Sequence, residues 1–206
     1  MITHLVGMSL GASSSIESGV AVKEVNTGKI IHLDKLFSMS DVQTFFDNYV
    51  SLKNSVICVS LPWDNTMLEG KWRVLSKQYQ LIHNDEDMFL NRENWMQRFS
   101  NRGSELLSNL SESGADISRF EIYLARQKLN LYSNYKERSS ADCKFLQLML
   151  RNEYGFEELP PNMMPVAQLE AIVGTLIAEA KLKNKTEEIF KFNNLSVLNI
   201  NDAIKG

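Results

Sequence analysis

A chain of 206 residues, 44% hydrophobic and 23% charged, has the composition of one globular domain with a sizeable core. Its formal net charge of −3 and pI of 5.7 lack the basic excess of a dedicated duplex binder, so binding nucleic acid would need a local patch. No apolar run approaches the roughly 18 residues of a membrane-spanning helix, and the first residues lack the basic start, apolar run and cleavage site of a signal peptide; a soluble protein of the reducing cytoplasm is expected.

The first elements read as strands. Ile2 to Met8 is a short apolar segment, Gly19 to Val25 alternates with β-branched residues, and Lys29 to Leu33 follows the turn Asn26-Thr27-Gly28. A serine-rich turn at Ala12 to Ser15 separates the first two. Ser40-Asp41 predicts a helix start, with Val42, Phe45, Phe46, Tyr49 and Val50 at helical spacing. Val56 to Leu61 reads as a buried strand halted by Pro62. Within it, Cys58 is expected as a buried thiol, and neither it nor Cys143 has a CxxC partner.

Helices are predicted over Met67–Tyr79 and Asn94–Leu110, then a short strand at Phe120–Tyr123 and a helix from Ala141 to Tyr154 ended by Gly155. After the break Leu159-Pro160-Pro161 comes the strongest helical pattern, Pro165 to Lys183. The tail from Glu187 to Ile200 has strand character. Two hairpins ahead of the first helix exclude a doubly wound fold and predict an α/β mixed sheet of three antiparallel N-terminal strands plus parallel strands, flanked by helices.

Five segments could carry chemistry. Gly7-Met8-Ser9-Leu10-Gly11 matches the G-x-S-x-G of a hydrolase nucleophile elbow. That elbow needs a helix directly after it and a late histidine, whereas a turn and a strand follow here and only His32 and His83 lie downstream. Two readings remain: a glycine turn beside a phosphate, or a hairpin with no ligand. Ser60-Leu61-Pro62-Trp63-Asp64 ends a buried strand, where Asp64 could line a site. Glu121, on the predicted strand Phe120–Tyr123, and Lys136, in a loop, could flank a metal or an anion, or could be solvated charges. Glu170 stands near the start of an otherwise apolar helix, where a carboxylate can serve the helix dipole instead of chemistry.

Taken in order, these segments resemble the predicted ribonuclease-H-like nuclease family known as domain of unknown function 429. That family carries Gly-x-Asp on the first strand, a strand ending in Asp-x-Pro, a Glu-x-x-Pro segment, a Tyr-Lys pair and a late helix beginning Asp-Ala. The corresponding residues here are Gly7-Met8-Ser9, Ser60-Leu61-Pro62, Glu121-Ile122-Tyr123-Leu124, Tyr135-Lys136 and Glu170-Ala171, across about residues 3–183. The resemblance implies a ribonuclease-H-like domain over residues 1–185, with a helical insertion at about 64–115 and a tail at 186–206 that could add a strand.

The departures from the family pattern set the functional expectation. Two Mg²⁺ ions about 3.5–4 Å apart need several surrounding carboxylates, and Ser9 and Ser60 stand where the family has aspartates. Glu121 and Glu170 remain as candidate metal ligands and catalytic carboxylates, with Asp64 as a substitute and Lys136 as a site-lining cation. The expectation is a domain without two-metal nuclease activity, acting as a binding or assembly module with no cofactor or at most weakly held Mg²⁺. The alternative is a residual Mg²⁺- or Mn²⁺-dependent nuclease using Glu121 and Glu170. A third reading, one lobe of an actin-like ATPase, is disfavoured because a nucleotide clasp needs two lobes. Candidate partners are nucleic acid, through a local patch, or another protein; no membrane is expected.

Overall fold

The computed structural model describes residues 1–60, 102–103, 105–106, 109–192 and 195–201. Within them lie β1 (His4–Ser9), β2 (Ser18–Glu24), β3 (Ile30–Leu36), α1 (Met39–Tyr49), β4 (Ser55–Ser60), β5 (Asp116–Phe120), α2 (Ile122–Lys128), α3 (Ser140–Tyr154), α4 (Val166–Leu182), β6 (Thr186–Phe192) and β7 (Leu195–Ile200). The helices expected over Met67–Tyr79 and most of Asn94–Leu110 fall outside the described residues, as does Asp64. Among the described residues, no helix is long and apolar enough to cross a membrane.

All seven strands join one sheet in the order β3-β2-β1-β4-β5-β7-β6. The β1–β2 and β2–β3 pairs are antiparallel, while β1–β4, β4–β5 and β5–β7 are parallel and β6–β7 is a closing hairpin. A three-stranded antiparallel meander whose first strand continues into parallel strands on its other edge is the mixed sheet expected from the sequence.

The local chemistry accounts for the elements. Gly28 takes φ 69° at the end of the β2–β3 turn, a conformation cheap only for glycine. Ser38 and Asp41 form a reciprocal capping box that starts α1. Ser139 caps α3, whose other end stops at Gly155 with φ 71°.

Both faces of the central strands are covered, so β1 and β4 read as nearly unbroken apolar runs. Val6, Met8, Ile57 and Val59 face α1, where they meet its Val42, Phe45 and Phe46, and Leu106 and Leu110 join the same cluster. Leu5, Val56 and Cys58 face α4 with Leu169, Ile172, Val173 and Ile177. Each of those four helical side chains is fully buried, a gain of roughly 1.5–3 kcal/mol apiece. Cys58 and Cys143 are both free and buried, and burial pushes the Cys58 thiol up to about 12.

Helix α4 lies directly against the backbone of the meander. A Cβ at Gly7 would fall on the carbonyl oxygen of Ala171, and one at Gly19 on that of Ala167. Gly174 in turn faces the Cα of Gly7. Gly7 therefore serves helix–sheet contact, not a nucleophile elbow. A Cβ at Gly11 would meet the carbonyls of Ile16 and Glu17, so Gly11 closes the β1–β2 turn on itself.

The predicted strand Phe120–Tyr123 is displaced. The strand is Asp116–Phe120, and Glu121 begins a helix. Its pattern was masked because Ser118 and Arg119 are buried polar residues: Ser118 accepts a 2.8 Å hydrogen bond from the Lys181 ammonium on α4.

Candidate functional site

The carboxyl ends of β1 and β4 lie side by side, because Ser9 and Ser60 are register partners in the parallel pair. Side chains alternate along each strand, so Ser60 shares the α4 face with Val56 and Cys58, as Ser9 does by its contact with Glu170. Both serines are buried.

Glu170 faces this pair from α4. It is the fifth residue of the helix, and the first turn carries no acid, so a dipole-compensating role near the N-terminus does not apply. The Ser9 hydroxyl donates to Glu170 Oε2 at 2.6 Å, and Arg138 Nη2 donates to the same oxygen at 3.1 Å. The Glu170 side chain is 1% exposed and that of Arg138 33%. The Glu170 carboxylate raises the Arg138 guanidinium pKa above its ordinary value, against the opposing effect of burial. Oε1 of Glu170 is buried with no hydrogen-bond partner among the described residues.

Arg138 is delivered by the loop between α2 and α3, and a buried ion pair shapes that loop. Arg126 of α2 forks onto Asp142 of α3, with Nη2 at 2.6 Å from Oδ1 and Nη1 at 3.1 Å from Oδ2. The same guanidinium donates to the Leu131 carbonyl at 3.2 and 3.1 Å. Asp142 also accepts from the Ser133 hydroxyl at 2.7 Å and from the backbone N–H of Arg138 at 2.9 Å. Arg138 is held there with φ 60°, a left-handed conformation uncommon for a side chain of its size. On the far side of the turn after β1, Arg102 donates to the carbonyls of Gly11 and Phe37 at 3.1 and 2.9 Å, tying that turn to the start of α1.

The other expected site residues are placed differently. Glu121 is not a strand carboxylate: it is the N-cap of α2, its side chain accepting from the Leu124 N–H at 2.8 Å. Lys136 is exposed in the α2–α3 loop, and it is Arg138, two residues on, that reaches Glu170. Asp64 lies outside the described residues. Among the described residues, no three His, Cys, Asp or Glu side chains are grouped to hold a metal ion. The structure thus brings Ser9 together with Glu170 and sets Ser60 beside Ser9. It adds Arg138, Arg126 and Asp142, for which sequence spacing gives no sign beyond the acid three residues after Ser139.

No protein-family model matches the chain, and no curated protein matches it. Among solved structures, the chain is similar to Thermus thermophilus RuvC in complex with a Holliday junction substrate, at 12% identity and a TM-score of 0.48, over 88% of this chain and 96% of that one. It is likewise similar to a second structure of Thermus thermophilus RuvC, at 12% identity and a TM-score of 0.45, over 87% of this chain and 95% of that one.

Proposed function

We propose that this protein is a divergent ribonuclease-H-like domain, in the manner of the domain of unknown function 429 family, that lacks two-metal nuclease activity and serves as a binding or assembly module. One observation carries the reading: the Glu170 carboxylate is engaged by the Ser9 hydroxyl and the Arg138 guanidinium. A metal pair needs several anionic oxygens converging on open space. Here the neighbouring strand ends offer the neutral hydroxyls of Ser9 and Ser60, and an arginine stands at Glu170, the carboxylate that faces them among the described residues. Glu121 is committed to capping a helix. Among the described residues, this donor set does not fit a divalent pair.

The partner on this reading is nucleic acid or another protein, met without cleavage. The test is incubation of the full chain with single-stranded, duplex and branched DNA and RNA in Mg²⁺ and in Mn²⁺. No cleavage is expected. Metal-dependent cleavage that disappears in Glu121→Gln or Glu170→Gln would instead establish the residual nuclease.

A further inference from the structure

We infer that Arg138 is the resident cation of this site: its guanidinium neutralises Glu170 where a nuclease would use a divalent ion, and its charge keeps such an ion out. The assignment deepens the reading above and rests on the site's ribonuclease-H-like placement, not on the outcome of a cleavage assay.

Three observations carry it. First, Glu170 is almost fully buried, and a buried carboxylate needs a counter-charge to remain ionised. Among the described residues, Arg138 is the cation that supplies it. Second, the engagement is lopsided. Arginine built to pair with a carboxylate usually forks across both oxygens, as Arg126 does on Asp142. Arg138 meets only Oε2 and leaves the buried Oε1 without a hydrogen bond among the described residues. The arginine fills the charge requirement of the carboxylate while matching only half of its geometry.

Third, the backbone at Arg138 is held in a left-handed conformation that is strained for a side chain of its size and persists only where surroundings impose it. Asp142 imposes it by accepting the Arg138 N–H, and Asp142 is itself locked by Arg126 and Ser133. The loop is therefore organised to present this side chain. Arginine stays protonated at every accessible pH, so acid or base does not vacate the position.

The test separates the arginine from the missing acids. Mn²⁺ binding is measured by electron paramagnetic resonance on the full chain in three forms: unaltered, Ser9→Asp with Ser60→Asp, and the same pair with Arg138→Gln. Restoring the acids while Arg138 stays should give weak binding. Removing Arg138 as well should tighten it by roughly tenfold or more, given the strength of a unit charge a few ångströms away in a partly buried site. Equal affinities with and without Arg138 overturn the assignment, as does tight Mn²⁺ binding by the unaltered protein.

Should the triple variant not fold, a stability cycle decides instead. Arg138→Gln should lower the urea midpoint, Arg138→Lys should lower it less, and adding Glu170→Gln to Arg138→Gln should recover much of the loss. Strictly additive effects of the two substitutions overturn the assignment. A cleavage assay can fail or succeed without altering either comparison, so the two readings are tested apart.

Discussion

The Oγ of Ser9 donates to Oε2 of Glu170 across 2.6 Å, joining the last residue of β1 to the second turn of α4. The bond links positions 161 residues apart, and it uses an oxygen that a metal site would need. A hydrogen bond to a buried charged acceptor contributes about 1.5–3 kcal/mol. Ser9→Ala should lower the unfolding free energy in urea by about that amount, with the sheet's circular dichroism signature unchanged. A change within error would show that the hydroxyl is not engaged.

Gly7 is expected to tolerate no side chain. An added Cβ meets backbone atoms of α4 rather than a flexible side chain, so the helix itself must move. Overpacking of this kind costs about 3 kcal/mol, and Gly7→Ala should lower the thermal midpoint well beyond the effect of Gly28→Ala, where the β-carbon would meet open space and only the positive φ resists. Equal shifts for the two variants would remove the close-contact explanation.

The Arg126–Asp142 pair should behave as a buried lock. Removing one partner leaves the other charge uncompensated, at about 3–5 kcal/mol, so Asp142→Ala should destabilise strongly and loosen the loop that carries Arg138. Hydrogen exchange at residues 131–139 is the local readout. If those amides stay protected in the variant, the lock is not what orders the loop.

The same pair gives the stability an acid limb. Burial acts to raise the Asp142 pKa, but hydrogen bonds from Arg126, Ser133 and the Arg138 N–H outweigh it and leave the pKa below the usual carboxylate value. A depressed folded-state pKa means that the contribution is fully present above the unfolded value near 3.9 and is lost as pH falls through the lower folded value. Denaturation curves taken between neutral pH and pH 2 should show this loss in the unaltered protein and less of it in Asp142→Asn. Identical slopes in both would contradict the assigned hydrogen bonds.

What could be read from the sequence follows from which signals are local. The hairpin turn at Gly28, the helix start at Ser40-Asp41 and the apolar run of β4 are written in adjacent residues, and the structure places the elements there, with the helix beginning just ahead of Ser40 behind its Ser38 cap. Motif order singles out Ser9, Ser60 and Glu170 as candidates, and the register of β1 on β4 places the two serines side by side. Phe120–Tyr123 misled because an apolar-looking pair straddles the boundary between a strand with buried Ser118 and Arg119 and a helix that Glu121 caps.

Arg138 was hidden for a different reason. Its role depends on a left-handed backbone and on a buried pair formed by residues 16 apart in sequence, neither of which leaves a periodic or motif signal. Lys136 in the same loop fitted the Tyr-Lys pattern, yet the loop turns it outward.

The most direct test of the site's character is a calorimetric titration of the full chain with Mg²⁺ and with Mn²⁺ at neutral pH. With Arg138 on Glu170 and hydroxyls at Ser9 and Ser60, no saturable heat is expected from either ion. Saturable binding of two ions, lost in Glu170→Gln, would contradict the claim that two-metal chemistry is absent from this site.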